Sequence, residues 1–315
     1  MKNVFTIALI IYCGCAMAQM PNFIMRADSL IGKFYYQSGF DTAYVSRPSH
    51  RFLTALHPDF SAIGISLSKA GRKAGFTTDL SDRIGAFVTY RGYGVGYSVR
   101  SPWGRTSNDK EFNFKFFCRR WGVETDFCRA STFSADITDV DSSYSIERGD
   151  IDFKMRMFSF YYVFNNKKFA FPAAFDKSYT QLKSCGSILL GGAYLVAKMN
   201  TVAGDIDVKS QSSGIGCGYG YNFVTKKKVL FHISLIPSFV FWEKNRMRTS
   251  NEEQTMKYKV TDIGLYARTA MTYNFHRCFI GADLMIYTTM LGDMKGVSAS
   301  FARQISRVFF GVWFW

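Results

Sequence analysis

The chain is poor in what helices across membranes and metal or redox enzymes are built from. Beyond its first twenty residues no apolar run approaches the roughly 20 residues that a helix needs to span a bilayer, so an integral protein of this sequence must be a closed barrel. Only six prolines interrupt 315 residues, which leaves long segments free to pair as strands. The four histidines and seven cysteines show neither CxxC nor Cys/His spacing, which argues against redox or metal chemistry, and no cofactor or metal is expected. Acidic residues are also short, 24 against 39 Lys and Arg. Such an excess could serve nucleic acid, yet no basic helix, zinc spacing or aromatic RNA-binding motif accompanies it, and nucleic acid is not an expected partner.

What is present begins with an export signal. Lys2, the apolar stretch Val4 to Tyr12 and the A-x-A site Ala16-Met17-Ala18 predict a signal peptide over 1–18, cleaved after Ala18. Residues 19–50 are mixed and poorly periodic and read as a periplasmic segment, and 51–315 read as an outer-membrane β-barrel. The chain ends on an aromatic run, Ser306 to Trp315, uncharged after Arg307, as expected of a closing strand that the barrel-assembly machinery would receive. Five cysteines lie beyond the signal: Cys118, Cys128, Cys185, Cys217 and Cys278. Cys118 shares a strand face with Phe112, Phe114 and Phe116, and Cys128 shares one with Glu124 and Asp126, so mostly free, buried thiols are expected.

Alternation carries the fold. Tyr93, Val95, Tyr97 and Val99 oppose Gly94, Gly96, Ser98 and Arg100, the period of two of a strand with one apolar and one polar face. The pattern recurs in about twelve segments, near 51–68 (kinked at Pro58), 83–90, 92–100, 111–118, 122–132, 153–164, 185–199, 212–224, 228–242, 261–274, 278–291 and 304–315. Connections alternate in length as barrel topology requires: tight at 91–92, 119–121, 225–227 and 275–277, longer at 69–82, 101–110, 133–152, 200–211, 243–260 and 292–303. The join at 165–184 breaks the rule. It should be a short periplasmic turn, but it runs to twenty residues whose composition suits a short amphipathic helix, placed to fold beneath or into the lumen. A soluble β-sandwich would share the alternation but not the aromatic terminus or the loop parity.

Tyr161-Tyr162-Val163-Phe164-Asn165 with Lys168-Phe169, then Pro172-Ala173-Ala174-Phe175, then Gln181 with Ser184-Cys185-Gly186-Ser187, form a block that resembles an exported family catalogued as domain of unknown function 4421. Asp41-Thr42-Ala43-Tyr44 resembles its first motif. The resemblance implies an outer-membrane barrel and no known activity.

Six polar residues fall on the non-apolar faces of strands and are the candidates to line the lumen: Glu124, Asp126, His232, Asp262, Arg268 and Asp283. His232 with Ser234, Ser238 and the later aspartates could be imagined as a hydrolytic constellation, but no nucleophile turn accompanies them, and a lumen histidine in a polar network is the simpler reading. Gly214, Gly216, Gly218 and Gly220 lie on one strand face instead of a strand-to-helix turn, so they bind no phosphate. They predict a bare wall that admits a plug made by 165–184, or else a bent strand. The acidic run from Asp136 to Asp152 lacks the calcium ligand series, and Lys226 to Lys228 read as a solvated hairpin tip. The expectation is therefore a non-enzymatic barrel in the outer membrane of a Gram-negative bacterium, a small-solute channel or an envelope structural protein, in contact with lipid and anionic headgroups. The alternatives are a lipid or surface-polysaccharide hydrolase centred on His232, and an assembly or adhesion protein acting through loops 133–152 and 243–260.

Overall fold

The computed structural model describes residues 39–314 and positions 29 and 32, apart from 48–49, 70–71, 103–108, 139–142, 147–149, 202–205, 227–228, 250–252, 258–261 and 295–296. The expected signal peptide, Trp315 and most of the segment 19–50 lie outside the described residues.

Twelve strands form the wall: β1 Phe52–Lys69, β2 Ser81–Tyr90, β3 Tyr93–Arg100, β4 Lys110–Phe117, β5 Trp121–Ala130, β6 Ile151–Val163, β7 Cys185–Thr201, β8 Ile206–Val224, β9 Val229–Thr249, β10 Asp262–Phe275, β11 Cys278–Met294 and β12 Val297–Phe314. Each pairs antiparallel with the next, and β12 returns to β1 from Val297–Lys69 to Phe314–Phe52, closing the barrel. Closure leaves the wall no unpaired edge, and alternation sends Val95, Tyr97, Ile188, Ile233, Leu235 and Phe310 outward into exposure while neighbours such as Ser98, Ser187, His232 and Ser234 turn inward. An apolar exterior around a closed ladder is the geometry of a membrane-spanning barrel of the outer-membrane kind.

Two prolines sit inside strands, and each breaks the ladder on one side only. Pairing of β12 with β1 skips from Arg307–Asp59 to Phe310–Leu56 around Pro58, while Pro58 still faces Ile84 across β2. Pairing of β8 with β9 skips from Gly216–Ser238 to Tyr219–Leu235 around Pro237, whose other side is regular. A proline has no N–H to give, so the loss falls on the side where that donor would have pointed.

The strands are longer than a membrane needs. The 21 residues of β9 rise about 70 Å at about 3.4 Å per residue, against the ~9–11 residues that suffice to cross, so the outer ends stand clear of the bilayer. This corrects two expected loops: 200–211 and 292–303 shrink to connections at 202–205 and 295–296 because their polar residues continue the strands. Other expected loops contain further strands. Arg72–Thr78 pairs with the outer end of β1 and with Phe133–Thr138, which pairs with Ser143–Ile146, and Glu253–Lys257 pairs with β9.

The interior is layered. Toward the outer mouth, Ile63, Phe76, Phe133, Ile151, Phe153, Met155, Met157, Leu195 and Phe301 form an apolar cluster, with Phe153 5.3 Å from Phe133 and 6.3 Å from Phe301 between ring centres. Charged side chains fill the middle, and the connection between β6 and β7 fills the inner end. The five cysteines beyond the signal are free, but only Cys118 and Cys128 are buried; Cys217 lies on the exposed outer face of β8 and Cys185 and Cys278 are half-buried, which corrects the expectation of mostly buried thiols.

Candidate functional site

The anomalous connection turns back into the lumen. After Val163 it makes a tight turn over Asn165 and Asn166, enters as Phe169-Ala170-Phe171, forms one helical turn at Pro172–Phe175 and leaves through Tyr179. Proline at the first helical position fits there because its missing N–H has no helical partner to lose. Lys177 closes the turn with a positive φ of 58°, and its Nζ donates to the carbonyls of Ala173 (3.0 Å) and Ala174 (2.9 Å). Phe169, Ala170, Phe171, Ala174, Asp176 and Lys177 are all within 2% of complete burial, so this segment is core of the barrel and no surface loop.

The wall receives it with matched surfaces. Phe171 packs on Tyr161 (4.4 Å) and Phe117 (6.5 Å), and Phe169, Phe171 and Phe175 surround His232 at 6.1, 5.3 and 5.0 Å. The Arg268 guanidinium lies 4.6 Å over the Phe175 ring. One polar chain binds the plug to the wall. His232 Nδ1 lies 2.7 Å from Asn222 Oδ1, an atom that only accepts, so the ring hydrogen sits on Nδ1. Asn222 Nδ2 donates to the Ala170 carbonyl (3.0 Å) and to Gln181 Oε1 (3.1 Å), and Gln181 Oε1 also accepts from Ala170 N (2.8 Å). Gln181 Nε2 donates to the carbonyls of Lys168 (2.6 Å), Lys183 (2.9 Å) and Tyr44 (3.2 Å). Through Tyr44 the chain ahead of the barrel joins in: Val45–Ser46 pairs with Thr180–Gln181 as a two-stranded ribbon, and Asp41 N donates to the Lys167 carbonyl.

Above the plug the lumen is filled by a charge network. Arg83 Nε donates to Asp59 Oδ1 (2.6 Å), Arg83 Nη2 and Arg303 Nη2 both donate to Glu111 Oε2 (2.8 and 2.6 Å), and Arg307 Nη2 approaches Glu111 Oε1 at 3.6 Å. Glu124 accepts from Arg268 Nη2 (2.6 Å) and pairs with Lys115 (3.3 Å). With Asp126 and Asp283 included, Arg83, Lys115, Arg268, Arg303 and Arg307 meet Asp59, Glu111, Glu124, Asp126 and Asp283 in this layer. Balance is what a low-dielectric interior demands, since each uncompensated charge there is costly. Asp126 is the exception in detail: it is buried, yet neither carboxylate oxygen has a hydrogen-bond partner among the described residues.

The six sequence candidates take different places. Glu124, Asp126, His232 and Arg268 are buried inside the barrel, and Arg268 and Glu124 meet directly. Asp283 is half-buried beside Arg307 in a small cavity with His57, Asn113, Lys115 and Phe175. Asp262 begins β10 at the outer mouth, opposite Val240 and eight residues along the strand from Ala270, the partner of His232, so the two never meet. The glycines divide. A side chain on Gly216 would run into Pro237 and Ser238, and one on Gly218 into Leu235 and Ile236, so both answer to the strand irregularity; a Cβ on Gly220 would lie 3.2 Å from Phe169 of the plug, and on Gly214 3.1 Å from the Phe239 carbonyl. Sequence reasoning missed Asn222, Arg83, Glu111 and Arg303. The signal was there, in polar residues at inward positions of alternating strands.

The block 161–187 is the plug with its clasps. Asn165 Nδ2 donates to the Gly186 carbonyl (2.9 Å), Asn165 N donates to Ser187 Oγ (2.8 Å), and Ser184 Oγ accepts from Val224 N (2.9 Å). A side chain at Gly186 would run into Tyr219. The side chains of 134–149, most of the acidic run, lie outside the described residues, as do Lys227 and Lys228; Lys226 is exposed.

A family described as a domain of unknown function (DUF4421) matches residues 40–300. No curated protein matches the chain. Among solved structures, the P. putida toluene transporter TodX is similar at 7% identity over 85% of this chain and 91% of that one, with a TM-score of 0.32. The COG4313 outer membrane channel from Pseudomonas putida F1 is similar at 9% identity over 87% and 100%, with a TM-score of 0.34. The transport unit of the autotransporter AIDA-I from Escherichia coli is similar at 6% identity over 92% and 97%, with a TM-score of 0.35. These are likenesses of barrel outline, and at such scores none bears on what this chain carries.

Proposed function

This chain belongs to the DUF4421 family, and because that family brings no activity with it, we propose a function from the geometry: a non-enzymatic, small-solute channel of the outer membrane, held shut at its inner end by residues 164–184 and at its outer end by the apolar cluster around Phe153. The observation that supports it is the separability of the plug. The wall is a continuous ladder of twelve strands, while the plug is one connection, joined to it by side-chain clasps at Asn222, Gln181 and Asn165. Small cavities flank it on both sides, one lined by Glu124, Tyr161, Phe171, Gly191, Ser212 and Arg268, the other containing Asp283 and Arg307. A segment that can leave without breaking the wall is a gate; a purely structural barrel has no need of one.

The hydrolase alternative finds no support, because three phenylalanines box in His232 and its Nε2 has no hydrogen-bond partner among the described residues. Removal of residues 1–18 belongs to the same proposal, and the amino terminus of protein recovered from outer membranes should read Gln19.

The test is conductance in a planar bilayer, comparing the intact protein with a variant in which 166–183 is replaced by a two-residue Asn-Gly turn and Phe133, Phe153 and Phe301 of the outer cluster by Ala. The intact barrel should be largely closed and the variant should show steady open steps. A variant that folds, judged by its heat-dependent gel mobility, yet passes no current would sink the channel and leave an envelope structural role.

A further inference from the structure

Among the described residues, the excess of positive over negative charge is concentrated at one rim. The middle of the lumen is balanced, but at the rim with the tight turns the described residues include nine Lys and Arg against Asp41 alone, the buried Arg119, Asp176 and Lys177 aside. The placement is circumferential. Arg91 lies in the turn after β2, Arg120 in that after β4, Lys168 in that after β6, Lys226 in that after β8 and Arg277 in that after β10, with Arg51 leading into β1. Every connection at this end carries at least one base, so the charge is a ring and no one-sided patch.

A second observation fixes the depth of the ring. Directly above it the strand ends carry aromatic side chains in contact: Tyr93 with Phe116 (4.3 Å), Phe116 with Trp121 (5.0 Å), Tyr162 with Phe164 (5.3 Å), Tyr221 with Phe223 (4.4 Å), Tyr273 with Phe275 (5.8 Å) and Phe52 with Phe314 (5.7 Å). Aromatic girdles mark the level where acyl chains give way to headgroups, so the bases just beyond them stand at phosphate depth. Short turns and both ends of the barrel chain lie on this side, which makes it the periplasmic one.

We propose that this ring binds anionic phospholipid headgroups of the inner leaflet, phosphodiesters that lack the compensating amine of a zwitterionic lipid. A soluble acidic partner would contact one sector of the rim, whereas headgroups are the anions that meet the whole circumference at this depth. The binding does not depend on whether the lumen opens.

The experiment folds the mature protein into vesicles of phosphatidylethanolamine with one quarter phosphatidylglycerol and measures the lipid ratio retained around the extracted protein. The intact chain should enrich phosphatidylglycerol about threefold over bulk, and the triple variant Arg120→Gln, Lys226→Gln, Arg277→Gln should fall toward the bulk ratio. Raising salt to about 0.5 M should erase the enrichment in the intact protein, which decides the matter even if the variant fails to fold. A bulk ratio around the intact chain would overturn the proposal, including the case in which that chain captures an acidic protein instead. Enrichment that survives either salt or the triple substitution would overturn it too.

Discussion

The outer and inner halves of this lumen are filled by different chemistry. The outer half is packed like the interior of a soluble domain, with Phe133, Phe153 and Phe301 in contact and Met155 and Met157 beneath them, all but two of the cluster supplied by the wall itself. Only Phe76 and Phe133 come from the additional strands. The inner half is charge met by charge, then an inserted segment. The difference teaches where movement can start. Apolar packing gains from every contact and gives nothing back piecemeal, whereas the plug, besides its buried phenylalanines, depends on a few directional hydrogen bonds at Asn222 and Gln181 that can be lost one at a time.

The comparison breaks hardest at Glu111, which holds Arg83 and Arg303 on one oxygen. Glu111→Gln leaves Arg303 without its acid and should cost about 3–5 kcal/mol, read as a lower urea midpoint for the barrel in vesicles. Asp126→Asn, one inward position from Glu124, removes a balancing charge but no hydrogen bond among the described residues, and should lower that midpoint by less than Glu111→Gln does. In the outer half, Phe153→Ala should cost about 3 kcal/mol, with a deficit indifferent to salt; salt dependence there would erase the distinction between the halves.

Gln181→Ala should be smaller and local, about 1–3 kcal/mol for the unpaired groups it leaves. Backbone amides of 168–183 should exchange faster while the strands keep their protection; equal loss in the wall would mean that plug and barrel are one unit. The remaining effect is that of pH. Burial pushes the Asp176 carboxyl up from its ordinary 3.8 to about 7 and the Lys177 ammonium down from 10.5 to about 7. The docked plug thus holds more protons than the free one between about pH 4 and 7, through Asp176, and fewer between about 7 and 10.5, through Lys177. Docking should therefore weaken as pH rises to 7 and strengthen again above it. Exchange at pH 5, 7 and 9, corrected for intrinsic rates, should be fastest at 7, and a monotonic trend would refute the assignment.

Much of the wall was legible in the sequence because strand alternation is a local property. The twelve segments, the role of Pro58 and the oddity of 165–184 all follow from neighbours one or two residues apart. The additional strands at Arg72–Thr78 and Phe133–Thr138 were not legible, since they are short and gain their partners only once β1 and the loop after β5 are in place. The site shows the same limit. Alternation reveals which face a residue takes, but Arg268 meets Glu124 across 144 positions and Arg303 meets Glu111 across 192, pairings set by register and closure. The last strand illustrates it: Arg307, Gly311 and Trp313 share a face that mixes charge with aromatic bulk, and only register and closure turn it inward, with Trp313 against Phe279 at 4.7 Å.

The ribbon of Val45–Ser46 with Thr180–Gln181 makes the plug a mechanical element. The residues before the barrel do not merely lead into β1; they are knotted by backbone hydrogen bonds to the same glutamine that clasps Ala170, and Leu182 N donates to the Tyr44 carbonyl at 2.7 Å. Tension applied to the chain ahead of residue 41 would therefore be delivered to the plug before it reached the wall, as a cord fastened to a stopper pulls the stopper and spares the vessel.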